Sequence, residues 1–156
     1  MARNERHIPA PPERVFAVLA DPRSYAYWVV GSDTIRDADP SWPAVGSRIH
    51  HRVGVGPLKI DDHTEVVAME PGRRLVLHAK ARPLGTARVE LDLEPRGGGT
   101  LVTMVEEAGD PLSKLVLNPL TDPLVRKRND ASLRRLEELA TDASTTARAS
   151  AGSAGR

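Results

Sequence analysis

GSRIHHRVGVGPLKIDDHTEVVAMEPGRRLVLHAKARPLGTARVELDLEPRGGGTLVTMVEEA, residues 46–108, decides the fold. Side chains alternate across a strand, so each apolar run can be tested for period two. Ile49, His51 and Val53 share one face, while Arg48, His50 and Arg52 share the other. After the Gly-Val-Gly-Pro turn, Leu58, Ile60, Asp62, Thr64, Val66 and Ala68 fall on a single side. Leu75, Leu77, Ala79 and Ala81 extend that side, as do Ala87, Val89, Leu91 and Leu93. The opposite phase reads Val76, His78, Lys80, Arg82, then Arg88, Glu90, Asp92 and Glu94. This is the signature of antiparallel strands with one covered and one wet face. Residues 100–107 are apolar on both phases, which leaves open whether Glu106 or Glu107 points inward.

Tight turns then set trial registers. A two-residue turn at Val55-Gly56 places His51 opposite Ile60 and Ile49 opposite Asp62. One at Pro71-Gly72 places Asp62 opposite Ala81 and Glu65 opposite His78.

Outward from the sheet, residues 3–8 make a short first strand. Pro11 and Pro12 suit the first turn of a helix, and Val15, Val18 and Leu19 recur at helical spacing. Asp21-Pro22 stops that helix and opens a brief second one carrying Tyr25, Tyr27 and Trp28. Residues 34–37 are a weak strand candidate. Residues 112–117 form a short apolar helix or turn, broken near Asn118-Pro119. Asp122-Pro123 repeats the cap-plus-proline pattern and opens a last helix through Ala140. Its inward stripe is Val125, Asn129, Ser132, Leu136, Leu139 and Ala140. The expected domain is 1–141. Residues 142–156 form a Ser/Ala/Gly-rich tail expected to be disordered.

Composition excludes several functions. The chain has 156 residues, enough for one domain with a real core. Its net charge of +1, with scattered arginines, speaks against a nucleic-acid partner. The absence of cysteine removes thiol catalysis and thiolate metal sites. His50 and His51 point to opposite faces and cannot share an ion, so no metal is expected. His50 opposite Asp61 and His78 opposite Glu65 read as surface pairs. The glycine turns open no helix and cannot cradle phosphate. No cofactor is implied. The opening MARNERHIP lacks the apolar core of a signal peptide, and no apolar run is long enough to span a membrane. A soluble, cytoplasmic protein is expected.

Strand, two short helices, strand meander, long terminal helix: this order resembles the helix-grip fold of the START-related, Bet v 1-like superfamily, in particular its polyketide cyclase/dehydrase-like branch. The resemblance is carried by HIPAPPERVFAVLADPRSYAYW (7–28), TEVVAMEPGRRLVL (64–77), GGGTLVTMVEEA (97–108) and DASLRRLEELA (130–140). It implies an α+β fold in which a curved antiparallel sheet wraps a long C-terminal helix. It also implies a cavity between the two for a hydrophobic ligand, such as a lipid, quinone or polyketide. Catalytic residues differ among the branches, and none carries over.

Against such a cavity, His51, Asp62 and Thr64 stand out as polar residues on the apolar face. Either they line the cavity and orient a polar group of the ligand, or they form a satisfied structural pair. A paired imidazole can also act as a general acid or base near neutral pH. Glu106 can hold a ligand amine or hydroxyl, or pair with Arg128. Asn129 offers a donor and an acceptor from the helix. Trp28 and Trp42 adjoin loops at the expected cavity mouth and can stack on a flat ligand or simply pack. Three functions stay open: a carrier or sensor of a hydrophobic molecule, a cyclase/dehydrase-type enzyme, and a scaffold docking a partner or membrane through its leucine-rich segment 112–124.

Overall fold

The structure is a computed structural model, and it describes residues 1–29, 32–55, 57–81, 85–115 and 120–142. The side chains of 32–34, 36, 53–55, 58–60 and 81 fall outside the described set. So the inward placements expected of Val53, Leu58, Ile60 and Ala81 lie beyond it, as do the Asn118-Pro119 break, residues 116–117 and the tail from 143.

Seven strands form one antiparallel sheet: β1 (Ala2–Ile8), β2 (Ser32–Ala38), β3 (Arg48–Val55), β4 (Leu58–Glu70), β5 (Arg74–Ala81), β6 (Gly85–Arg96) and β7 (Gly99–Ala108). Their order is β1-β7-β6-β5-β4-β3-β2. The chain meanders from β2 to β7, and β1 closes the row beside β7. Helix α1 (Pro12–Leu19) follows β1, with a proline in its first turn and Val15 and Leu19 buried. Asp21 caps the next turn, its carboxylate accepting from the Arg23 N–H at 3.0 Å. One helical turn follows, α2 (Tyr25–Trp28).

Helix α3 (Asp122–Thr141) is 20 residues long, about 30 Å at helical rise. It buries Val125, Asn129, Ser132, Leu133, Leu136 and Ala140, the i, i+3, i+4 stripe of an amphipathic helix, and packs on β1, α1 and α2. Leu133, fully buried, belongs to this stripe along with the positions expected from spacing. Its N-cap is Thr121 without a side-chain cap bond, so Asp122 is inside the helix rather than capping it. With the sheet curving around this helix, the architecture is the helix-grip α+β fold.

The register corrects two of the trial pairings. His51 lies directly opposite Asp62, Ile49 opposite Thr64 and Val53 opposite Ile60. Val55 pairs with Leu58, so the turn sits one residue later than expected and the ladder slides by two. A slide of two keeps every side chain on its face. It also makes Arg52, not His50, the partner of Asp61; His50 faces His63.

In the next hairpin, Glu65 pairs with His78 as expected, although the loop has three residues between Glu70 and Arg74. A bulge at Val67 offsets the extra loop residue. The bulge also reverses the phase beyond it: Met69 packs on the core, not Ala68. Val76, expected on the wet face, is fully buried. It pairs with Glu90, which holds Arg74 at 2.6 Å and Arg88 at 2.9 Å. The β6–β7 hairpin turns on Gly97 and Gly98, both at positive φ (59° and 80°), as a two-residue turn of this hand requires.

Candidate functional site: a polar strip on the covered face

Polar side chains from five elements, β3, β4, α2, β7 and α3, gather on the inner side of the sheet. The alternation of β3 and β4 turns His51, Asp62 and Thr64 inward, 3%, 7% and 0% exposed. From α2, Tyr25 reaches across: its hydroxyl is 3.0 Å from Thr64 Oγ1, and His51 Nε2 is 2.9 Å from the same atom. Thr64 therefore bridges a phenol and an imidazole. The Tyr25 ring also stacks on His51, with centroids 6.1 Å apart and planes 13° apart, and meets Trp28 edge-on at 5.7 Å. Asp62 lies opposite His51 and accepts from the His63 backbone N–H at 2.9 Å.

A hydroxyl between a phenol and an imidazole can relay a proton. Thr64 can accept from Tyr25 while donating to Nε2, or the reverse, according to the tautomer of His51. Burial pushes the Tyr25 phenol up to about 12, with the Thr64 bond pulling the other way. It therefore stays protonated at neutral pH: a hydrogen-bond donor and a poor base.

The second half of the strip comes from β7 and α3. The last strand buries Thr100, Val102, Met104 and Glu106, so Glu106 faces inward and Glu107 outward. Glu106 Oε2 accepts from Asn129 Nδ2 at 3.1 Å and from the Arg128 guanidinium. Arg128 also donates to Asn129 Oδ1 at 3.4 Å. The charges of both Glu106 and Arg128 are felt at the Tyr25 phenol, which joins the two halves electrostatically.

Among the residues expected from sequence, His51, Asp62 and Thr64 form one group and Glu106 and Asn129 the other, with Trp28 beside the first. The Trp28 indole N–H is buried with no hydrogen-bond acceptor among the described residues. Trp42 stands apart: it is buried, and its indole N–H donates to the Leu19 carbonyl at 3.2 Å, tying the 39–47 loop to α1. Ser132 is buried on the inward stripe of α3. Two contributors escaped the sequence reading of the site. Tyr25 registered there only as an aromatic, and Arg128 only as a partner for Glu106. The signal for Tyr25 was its place three residues before Trp28 on one helical turn, which puts both rings on the same side. Among the described residues, no group of His, Asp and Glu is arranged to hold a metal ion.

A family model described as polyketide cyclase/dehydrase and lipid transport matches residues 2–141. Solved structures share the fold. TTHA0849 from Thermus thermophilus is 22% identical, with a TM-score of 0.66 over 92% of this chain and 98% of that one. MLL2253 from Mesorhizobium loti is 23% identical, with a TM-score of 0.63 over 88% of this chain and 94% of that one. DynU16, from the dynemicin biosynthetic locus, is 19% identical, with a TM-score of 0.59 over 88% of this chain and 45% of that one. No curated protein matches the chain in sequence.

Proposed function

The chain belongs to the polyketide cyclase/dehydrase and lipid transport family, and from that membership we propose that it binds a hydrophobic small molecule with a polar end. In this reading residues 1–141 act as one binding domain. The apolar body of the ligand lies between the sheet and α3, and its polar end meets His51, Thr64 and Tyr25. One observation carries it: a histidine, an aspartate and a threonine are buried side by side on a face otherwise rich in Val, Leu and Ile. Burying such groups costs free energy, on the order of 1–3 kcal/mol each when poorly satisfied, and apolar residues would pack there without that cost. The buried Trp28 N–H supports a ligand that brings an oxygen acceptor, a carbonyl for example.

Only five aromatic residues occur in the chain, which favours aliphatic walls and a flexible lipid or polyketide over a stacked planar base. Native mass spectrometry of gently purified protein, with extraction of any bound molecule, tests the reading. His51→Ala and Asp62→Asn should weaken binding while the fold persists. Normal binding by both variants would remove these residues from the site.

A second reading, cyclase-type catalysis, is favoured by the hydroxyl bridge between Tyr25 and His51. The imidazole would take a proton from carbon beside a ketone while the phenol donates a hydrogen bond to the ketone oxygen. Turnover of a poly-ketone substrate by the native chain, lost in His51→Ala and in Tyr25→Phe while binding persists, separates this reading from simple carriage.

A further inference from the structure

Four leucines at one end of the molecule are far more exposed than aliphatic side chains need be: Leu112 (69%), Leu115 (73%), Leu120 (89%) and Leu124 (71%). Two stand on the short turn after β7 and two at the entry to α3, and local bonds hold both places to the same end of the sheet. The turn is latched to the start of β6: Thr86 N–H donates to Ser113 Oγ at 2.7 Å, and Gly109 N–H to the Thr86 carbonyl at 2.9 Å. The entry to α3 lies over the adjoining corner of β1 and β7. There Asn4 Nδ2 donates to the Arg126 carbonyl at 2.9 Å, and Arg128 pairs with Glu106 near the end of β7.

The charge at this end is positive. Lys114 stands exposed between Leu112 and Leu115, and exposed Lys127 is one turn along α3 from Leu124. Lys80 pairs with Thr86 beside the latched turn. Of the carboxylates here, Asp122 is paired with the Met1 ammonium at 3.6 Å, Asp110 is held by Thr86 and Ser113, and exposed Glu107 lies opposite Arg88 on β6, which leaves Lys114, Lys127 and Lys80 as the excess charge.

We propose that this end of the molecule docks on an anionic lipid surface, inserting its leucines among the acyl chains while Lys80, Lys114 and Lys127 meet the headgroups. Aliphatic side chains flanked by lysines suit an interface that is apolar inside and anionic at its rim. A second copy of the chain is a poorer occupant, because a two-fold contact would bring the same lysines together. A folded protein partner fits less well too. Segment 112–128 carries no aromatic residue, and aromatic anchors dominate such interfaces. Among the described residues no helix is long and apolar enough to cross a membrane, so the contact is peripheral. The proposal stands independently of the ligand reading above.

Co-sedimentation of the full chain with vesicles tests it, using phosphatidylcholine alone and phosphatidylcholine mixed with phosphatidylserine. Retention is expected on the mixed vesicles only, weakening as salt rises. The double variant Leu120→Ser/Leu124→Ser should lose roughly a hundredfold in partitioning, about tenfold for each leucine withdrawn. Lys114→Ala/Lys127→Ala should lose about fivefold for each cation removed. Circular dichroism checks the fold, and the lysine pair carries the test should the leucine variant misfold. Absence of retention on the mixed vesicles overturns the proposal. So does retention of the leucine and lysine variants at the level of the native chain, or a concentration-dependent dimer that the leucine variant abolishes.

Discussion

Three pairs of like residues stand next to each other in the chain and on opposite faces of the same sheet: His50 and His51, Asp61 and Asp62, Glu106 and Glu107. The first member of the two earlier pairs looks outward, and the second is buried; in the last pair the order is reversed. Chemistry is constant within each pair, so the difference is environment alone. Outside, Asp61 meets Arg52 at 2.9 Å with both side chains about half exposed (47% and 45%), a contact that water and salt largely screen. Inside, Glu106 is 8% exposed at the side chain, where a hydrogen bond withheld costs the full desolvation of the group. Polar residues on the outer face are solubility and register. Those on the inner face are a commitment to function or to a specific polar network.

The sharpest way to break this comparison is at the carboxylate pair. Glu106→Ala removes the acceptor of Asn129 and the counter-charge of Arg128, and should cost about 2–3 kcal/mol in urea unfolding. Glu107→Ala should stay within about 0.5 kcal/mol. Equal losses at the two sites would mean that burial does not distinguish the faces.

Tyr25 offers a pH test of the same contrast. Its phenol rises from 10.0 to about 12 on folding because burial disfavours the anion. Between those values the unfolded chain releases a proton that the folded chain retains. The stabilisation is therefore complete below pH 10 and is lost as pH climbs toward 12, on the order of 2 kcal/mol in all. Stability of the native chain should fall across that window more steeply than that of Tyr25→Phe. Parallel curves would place the phenol in water.

Thr64→Val keeps shape and removes the hydroxyl between Tyr25 and His51. A loss of about 1–2 kcal/mol is expected by thermal or chemical unfolding, with most of it recovered in Thr64→Ser. On the outer face, Arg52→Ala should change stability by less than about 0.5 kcal/mol, and less still at high salt.

Much of this is legible in the order of residues alone. Period-two alternation places His51, Asp62 and Thr64 on the covered face and His50 and His63 on the other. The stripe of α3 places Asn129 and Ser132 inward. Alternation is a local property, which is why a ladder that slid by two residues left those faces intact. Where the local rule is interrupted, alternation misleads. The bulge at Val67 exchanged Ala68 for Met69, and Val76, on the phase that reads as wet, is fully buried. Residues 100–107, apolar on both phases, gave no basis for choosing between Glu106 and Glu107. Pairing with β1, Ala2 opposite Glu106, settled it.

The sequence by itself therefore determined the strand meander, its wet and dry faces, the proline-led helices and the amphipathic α3, since each follows from spacing along a few neighbouring residues. Only the tertiary structure decided which polar residues meet. Tyr25 is 39 residues from Thr64, and Arg128 is 22 from Glu106. No periodicity links such positions; they are joined by the curvature of the sheet around the helix, which brings distant hydroxyl, imidazole and carboxylate groups within hydrogen-bond reach and removes the water between them.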